Sequence, residues 1–173
     1  MDNGLRAQGV SVPAIYEGDL EAGVLLIEDL GSEGVVDENG PIPERYAEAV
    51  AVLAHLHGRD LPESVPVETG REHVIPPYDL DALLIEAELA LDWYMPHIVG
   101  TTPSGSARST FVALWKTALE PLQARRTWTL RDMHSPNILW QPLRQGMARA
   151  AIIDFQDAVL GHPAYDLAAL LQD

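Results

Sequence analysis

Asp132, Asn137 and Asp154 are the residues whose types and spacing can do chemistry in this chain. Asp132 and Asn137 lie in the polar stretch Arg131-Asp132-Met133-His134-Ser135-Pro136-Asn137, just before the apolar run Ile138-Leu139-Trp140. Asp154 ends a second short run, Ala150-Ala151-Ile152-Ile153. The stretch between them carries Pro142 and Gly146, so the two runs are predicted to pair as a hairpin. Pairing brings two carboxylates and an amide into one small space. Two such carboxylates repel each other, which raises a pKa unless a cation lies between them. Mg²⁺ resolves this, because it takes one or two carboxylates and fills its other positions with water and phosphate. A carboxylate left off the metal can hold a substrate hydroxyl. An orienting Asp, a metal-binding Asn and a metal-binding Asp together are the parts of phosphoryl transfer. Taken singly, loop Asp and Asn are also ordinary turn-formers that bond their own backbone.

A family resemblance rests on the same residues. Asp132-x-x-x-x-Asn137 matches the catalytic-loop spacing of protein kinases, and Asp154-Phe155-Gln156 stands where they carry Asp-Phe-Gly. The form Arg131-Asp132-Met133-His134-Ser135-Pro136-Asn137 resembles more closely the aminoglycoside phosphotransferase family, whose loop reads Asp-x-His-x-x-Asn. The run from Ile153 to Leu167 is similar to the branch whose bacterial kinases phosphorylate N-acetylmuramate and N-acetylglucosamine at the anomeric carbon. The resemblance implies an α+β, protein-kinase-like fold: a partial N-lobe hairpin and a mainly helical C-lobe with a catalytic β-hairpin. It implies ATP and Mg²⁺ as cofactors and a small-molecule acceptor, a sugar or amino sugar. Asp132 becomes the catalytic residue that orients the acceptor hydroxyl. Asn137 and Asp154 become the metal ligands that hold Mg²⁺ against the ATP phosphates. Glu28, Asp29 and Leu30 fall at the hinge beside the adenine, where contacts are made by backbone groups. His134 matches the family's loop His and is expected to lock the loop. Asp166, near a helix start, either caps that helix or braces the catalytic loop. Leu130 replaces the His that many kinases place before the Arg-Asp pair. Arg131 stands where aminoglycoside kinases often have Gly, which makes antibiotic specificity less secure.

Several elements must position these groups. Val10–Tyr16 reads as a strand, Glu17–Gly23 as a turn and Val24–Ile27 as a second strand. Pro43 opens a helix that Gly58 closes, with Tyr46, Ala49, Val50, Val52, Leu53 and Leu56 on one face. His55 and His57 fall in its last turn, where a cation complements the helix dipole. Residues 59–78, with four prolines, read as a long connection. Asp79 or Asp81 caps the next helix, to about His97. Its Glu86, Glu88 and Asp92 read as a solvated face, and its Trp93 and Tyr94 as core. A cationic acceptor for that acidic face is the rival reading. A loop at 98–107 precedes a helix from about Ala107 to Arg125, interrupted by Pro121 and expected to pack beneath the catalytic hairpin.

Composition bounds the rest. Eleven basic against 26 acidic residues give a formal charge of −15, which argues against nucleic acid or an anionic membrane as partner. There is no Cys, hence no disulfide framework, which fits a cytoplasmic setting. No apolar stretch approaches the ~20 residues of a membrane helix, and Met1–Arg6 lacks the features of a signal peptide. Two parts are expected: residues 1–30, a remnant of the N-lobe with its hinge, and residues 31–173, an incomplete C-lobe. A complete kinase N-lobe needs a Gly-rich loop and a strand Lys. Neither is present, since the lone Lys is Lys116 in a helical pattern. With an apolar helix still open at Asp173, the chain reads as a fragment of a larger kinase. The alternative is a degenerate kinase-like domain, non-catalytic alone, that binds a nucleotide or a protein. An enzymatic rival, a metal hydrolase using Asp132, His134, Asp154 and His162, has no zinc-motif spacing behind it.

Overall fold

The computed structural model describes residues 1–19, 21–67 and 70–172; Leu20 of the expected first turn and the final Asp173 lie outside them. The chain opens with a short helix, α1 (Asp2–Ala7), where no element was predicted. A hairpin follows, β1 (Ile15–Asp19) with β2 (Val24–Ile27), antiparallel with an irregularity after Ile15. Asp19 shapes its turn by accepting the Glu21 and Ala22 N–H groups, both at 3.0 Å. The first strand therefore begins later than the Val10–Tyr16 expected. Val10 and Val12 are instead buried in the core, and the Ser11 carbonyl accepts the Ile152 N–H at 2.9 Å. Those valines fill the core beside the later hairpin, which satisfies their burial without a strand partner in the first one.

Two short strands, β3 (Val36–Asp37) and β4 (Gly40–Pro41), lead into α2 (Pro43–His57). Pro43 at its start and Gly58 at its end match the sequence signals. Its buried face, Ala49, Val52, Leu53 and Leu56, forms the centre of the core. The Pro-rich connection is not structureless: β5 (Ser64–Pro66) pairs with β6 (Glu72–Val74). Proline hid these strands because it is excluded only from central strands, not from edges.

α3 (Leu80–Leu89) is capped by Asp79, whose carboxylate accepts the Ala82 N–H at 3.0 Å. It continues as a π-helical segment, Ala90–Val99, and stops at Gly100 in the left-handed region (φ 75°). The change of pitch turns Trp93 and Tyr94 outward, 64% and 58% exposed, so they do not fill core. α4 (Gly105–Leu119) gives way to a 3₁₀ turn at Glu120–Ala124, split as Pro121 requires. It packs against α3, not beneath the catalytic hairpin, because it buries only Leu119. The element beneath the hairpin is α2.

The last part holds β7 (Thr127–Thr129), a 3₁₀ turn at Ser135–Asn137, β8 (Ile138–Trp140), β9 (Ala150–Ile152), β10 (Val159–Gly161) and α5 (Ala164–Leu170). β8 pairs with β9, and β10 with β7, both antiparallel. Trp128 on β7 is fully buried and donates its indole N–H to the Pro62 carbonyl at 2.7 Å. No helix among the described residues is long and apolar enough to cross a membrane.

Candidate active site

The hairpin does what its sequence predicts. β8 and β9 pair in the register Ile138↔Ile152, Leu139↔Ala151 and Trp140↔Ala150. One further bond, Ile153 N–H to the Asn137 carbonyl at 3.0 Å, closes its open end. Asp154 is the next residue, so the strand pairing sets it beside Asn137. Asp154 has a positive φ of 60°, unusual for a residue with a side chain, and turns the chain sharply out of β9. Its carboxylate is exposed and accepts a hydrogen bond from the Gln156 amide.

The loop before β8 is held by its own backbone. The His134 N–H bonds the Asp132 carbonyl, and the Asn137 N–H bonds the His134 carbonyl, both at 2.9 Å. Asn137 is almost buried, and its amide nitrogen donates to the Asp132 carbonyl at 3.0 Å. That bond uses one Asn137 N–H and fixes the amide, leaving its side-chain oxygen as an acceptor. A neutral amide oxygen next to an exposed carboxylate is a hard-oxygen donor pair. It fits Mg²⁺, which leaves its other positions to water and phosphate. Asp132, with Arg131, His134, Tyr165 and Gln172, lines a cavity of about 500 Å³. Among the described residues no three His, Cys, Asp or Glu side chains gather as a metal cluster, which removes the geometric basis for a metal hydrolase.

Asp166 braces the loop. Its two carboxylate oxygens accept the Leu130 and Arg131 N–H groups at 2.8 and 2.9 Å. It does not cap α5, which has no side-chain cap. Burial pushes its pKa up to about 6, against the pull of those two N–H groups; the Asp132 charge adds to the rise. His57 Nε2 lies 3.9 Å from it. Burial lowers the His57 pKa, so at neutral pH the imidazole is uncharged and the two do not form an ion pair. His55 instead contacts the Gln8 carbonyl at 2.7 Å.

Glu28, Asp29 and Leu30 follow β2 directly. The Glu28 carboxylate is committed to Arg144 at 2.8 Å and to the Ala14 N–H at 3.0 Å. Asp29 accepts the Gly31 N–H at 2.8 Å, and the Leu30 carbonyl accepts the Gln141 side-chain amide at 2.7 Å. Both Glu28 carboxylate oxygens and one Asp29 oxygen are thereby committed. Among the described residues no hydrogen bond reaches the Glu28 carbonyl or the Leu30 N–H. Gln141 and Arg144 were not foreseen; as long polar residues in a turn they carry no pattern of their own.

The acidic face of α3 is also not simply solvated. Glu86 pairs with Arg131 at 2.6 Å and accepts the Tyr78 hydroxyl, while Glu88 and Asp92 both pair with Arg108. No sequence signal links Glu86 to Arg131, which are 45 residues apart.

The arrangement is that of a kinase-like phosphotransferase lobe, and solved structures share its fold. Choline kinase LicA from Streptococcus pneumoniae superposes with a TM-score of 0.61 at 20% identity, covering 97% of this chain and 52% of that one. An aminoglycoside phosphotransferase, solved in a ternary complex with ADP and hygromycin B, gives a TM-score of 0.59 at 15% identity over 97% and 58%. The chain belongs to the phosphotransferase enzyme family, whose model matches residues 3–173. Its relatives include the N-acetylmuramate/N-acetylglucosamine kinases of Caulobacter vibrioides, 32% identical over 98% of this chain, and of Neisseria meningitidis serogroup B, 29% identical over 95%. The chain spans 47% of each, about half the length of the curated relatives it matches.

Proposed function

We propose that this chain supplies the catalytic loop of an ATP-dependent phosphotransferase acting on a hydroxyl of a sugar or amino sugar. The observation that carries the reading is the strand pairing that sets Asn137 beside Asp154, with Asp132 on the same loop at the edge of a cavity. Phosphoryl transfer is mainly positioning and charge neutralisation, and this arrangement supplies both. Asn137 and Asp154 are the residues to hold Mg²⁺, which when bound neutralises phosphate charge. Asp132 orients the acceptor hydroxyl and takes its proton. Glu28, Asp29 and Leu30 take the adenine through backbone groups. The Leu30 end of that segment is tied to Gln141, and the phosphates lie at Asn137 and Asp154. The strand β8 between them spans about 10 Å at ~3.3 Å per residue, a separation that would suit a nucleotide held at both ends. In this reading residues 1–30 give the N-lobe hairpin and hinge, and residues 31–173 the catalytic lobe. The named activity of the relatives supports N-acetylmuramate or N-acetylglucosamine as the first acceptors to try.

Calorimetry with Mg-ATP, beside an Asp154→Ala variant, tests the reading. Magnesium-dependent binding that the variant loses by tenfold or more is expected, followed by phosphate transfer to one of the two sugars. Binding without transfer to any sugar favours instead a non-catalytic nucleotide-binding module. No binding at millimolar Mg-ATP by a folded chain sinks the idea that this chain works alone.

A further inference from the structure

Arg131 adopts a positive φ of 73°, a conformation that persists only where the surroundings over-determine it. Asp166 fixes its backbone N–H, and a second anchor holds its side chain. The guanidinium pairs with Glu86 on α3 at 2.6 Å and lies 5.3 Å from the centre of the Tyr78 ring. The Tyr78 hydroxyl donates to the other Glu86 oxygen, and its ring meets Tyr165 edge-on at 5.4 Å. Burial pushes the Tyr78 phenol up, as do Glu86 and Tyr165, so it stays a donor at any physiological pH. Burial works against the Arg131 charge, yet Glu86, Tyr78 and Tyr165 hold its pKa above the ordinary guanidinium value. Arg131 and Tyr165 both line the same cavity as Asp132.

We infer that Glu86 is a positioning residue: through Arg131 it fixes the loop that presents Asp132 to the acceptor. The inference rests on the reading of Asp132 as the acceptor-orienting group. A purely stabilising role fits poorly, since both partners are about one-third exposed (33% and 37%), where an ion pair adds little to global stability. Its geometric effect is larger, because Arg131 adjoins Asp132 and has no freedom left once both anchors hold. Helix α3 thereby links the catalytic loop to α4: Glu86 holds Arg131, and Glu88, on the opposite face of the helix, holds Arg108 of α4.

Amide hydrogen exchange on the full chain tests this without requiring activity. In Glu86→Ala the Leu130 and Arg131 amides are expected to exchange about tenfold faster, with α2 amides unchanged. Glu86→Gln, which keeps an oxygen for Tyr78 and Arg131, recovers most of the protection. Unchanged loop exchange, or an equal acceleration in α2, overturns the inference. In the transfer assay Glu86→Ala is expected to lower kcat about tenfold with KM for Mg-ATP unchanged, and a change confined to KM for Mg-ATP contradicts it. A wild-type chain that neither binds Mg-ATP nor transfers phosphate counts against its working alone and not against this inference. The exchange result then still decides whether Glu86 orders the loop.

Discussion

Asp166 sets burial against charge: its carboxylate has no exposed surface, yet two backbone N–H groups point at it. Burial prevails, and its pKa rises from 3.8 to about 6. The consequence for stability has a definite sign. Between pH 4 and 6 the unfolded chain has lost this proton while the folded chain retains it. Folding therefore becomes less favourable as pH rises through that window, by about 3 kcal/mol in all for a shift of this size. Above pH 6 both states are ionised and this contribution no longer changes. Chemical denaturation of the wild type and of Asp166→Asn should give a difference in stability that moves against the wild type from pH 4 to 6 and then levels. A difference flat across the window would show that the carboxyl ionises normally. Residue chemistry was legible in part. The hairpin that sets Asn137 beside Asp154 was legible because strand order and turn residues are local signals. The two roles open for Asp166 could be separated only by the structure, since a helix-start Asp looks the same whether it caps or braces. Glu86 was misread because its partner lies on a distant loop.

At the level of elements, α1 joins the core through Leu5, and its one glycine allows the close approach. A Cβ on Gly4 would lie 2.7 Å from Val65 Cγ1 and 2.9 Å from Trp128 Cη2. Two effects then oppose each other in Gly4→Ala. Helix propensity favours Ala by about 1 kcal/mol. Overpacking against a fully buried indole costs about 1–3 kcal/mol. Packing should prevail, because Trp128 is held by its bond to Pro62 and cannot retreat. A urea titration is expected to show net destabilisation of about 1 kcal/mol, and an increase in stability would mean that β5 and β7 yield more readily than their burial suggests. Elements with strong local signals were legible: α2 between Pro43 and Gly58, the Asp79 cap of α3, and the break at Pro121. Those without were not. Six residues of α1 carry too little periodicity to declare a helix, and the π-helical pitch after Leu89 invalidates the 3.6-residue count that placed Trp93 and Tyr94 inside.

Across the whole molecule, the weakest attachment is that of the β1–β2 hairpin. Every described residue of both strands is exposed, including Ile15, Tyr16 and the run Val24–Ile27. A lone two-stranded hairpin is marginal in water. Two bonds from the β8–β9 turn fasten its base: Arg144 to Glu28, and Gln141 to the Leu30 carbonyl. A part-exposed ion pair contributes up to about 1 kcal/mol and a neutral hydrogen bond about 1 kcal/mol. Removing both should therefore shift the local opening equilibrium by roughly tenfold or slightly more. In Gln141→Ala/Arg144→Ala, the β1–β2 amides are expected to exchange about tenfold faster while those of α2 keep their protection. If residues 28–30 take the adenine, the same variant should also weaken Mg-ATP by several-fold, with Asn137 and Asp154 untouched. Faster hairpin exchange with unchanged nucleotide affinity would remove the hinge from the binding site and leave the nucleotide to the catalytic loop alone. Unchanged exchange would mean that the core contacts of Val10 and Val12, rather than the turn, hold the N-terminal segment in place.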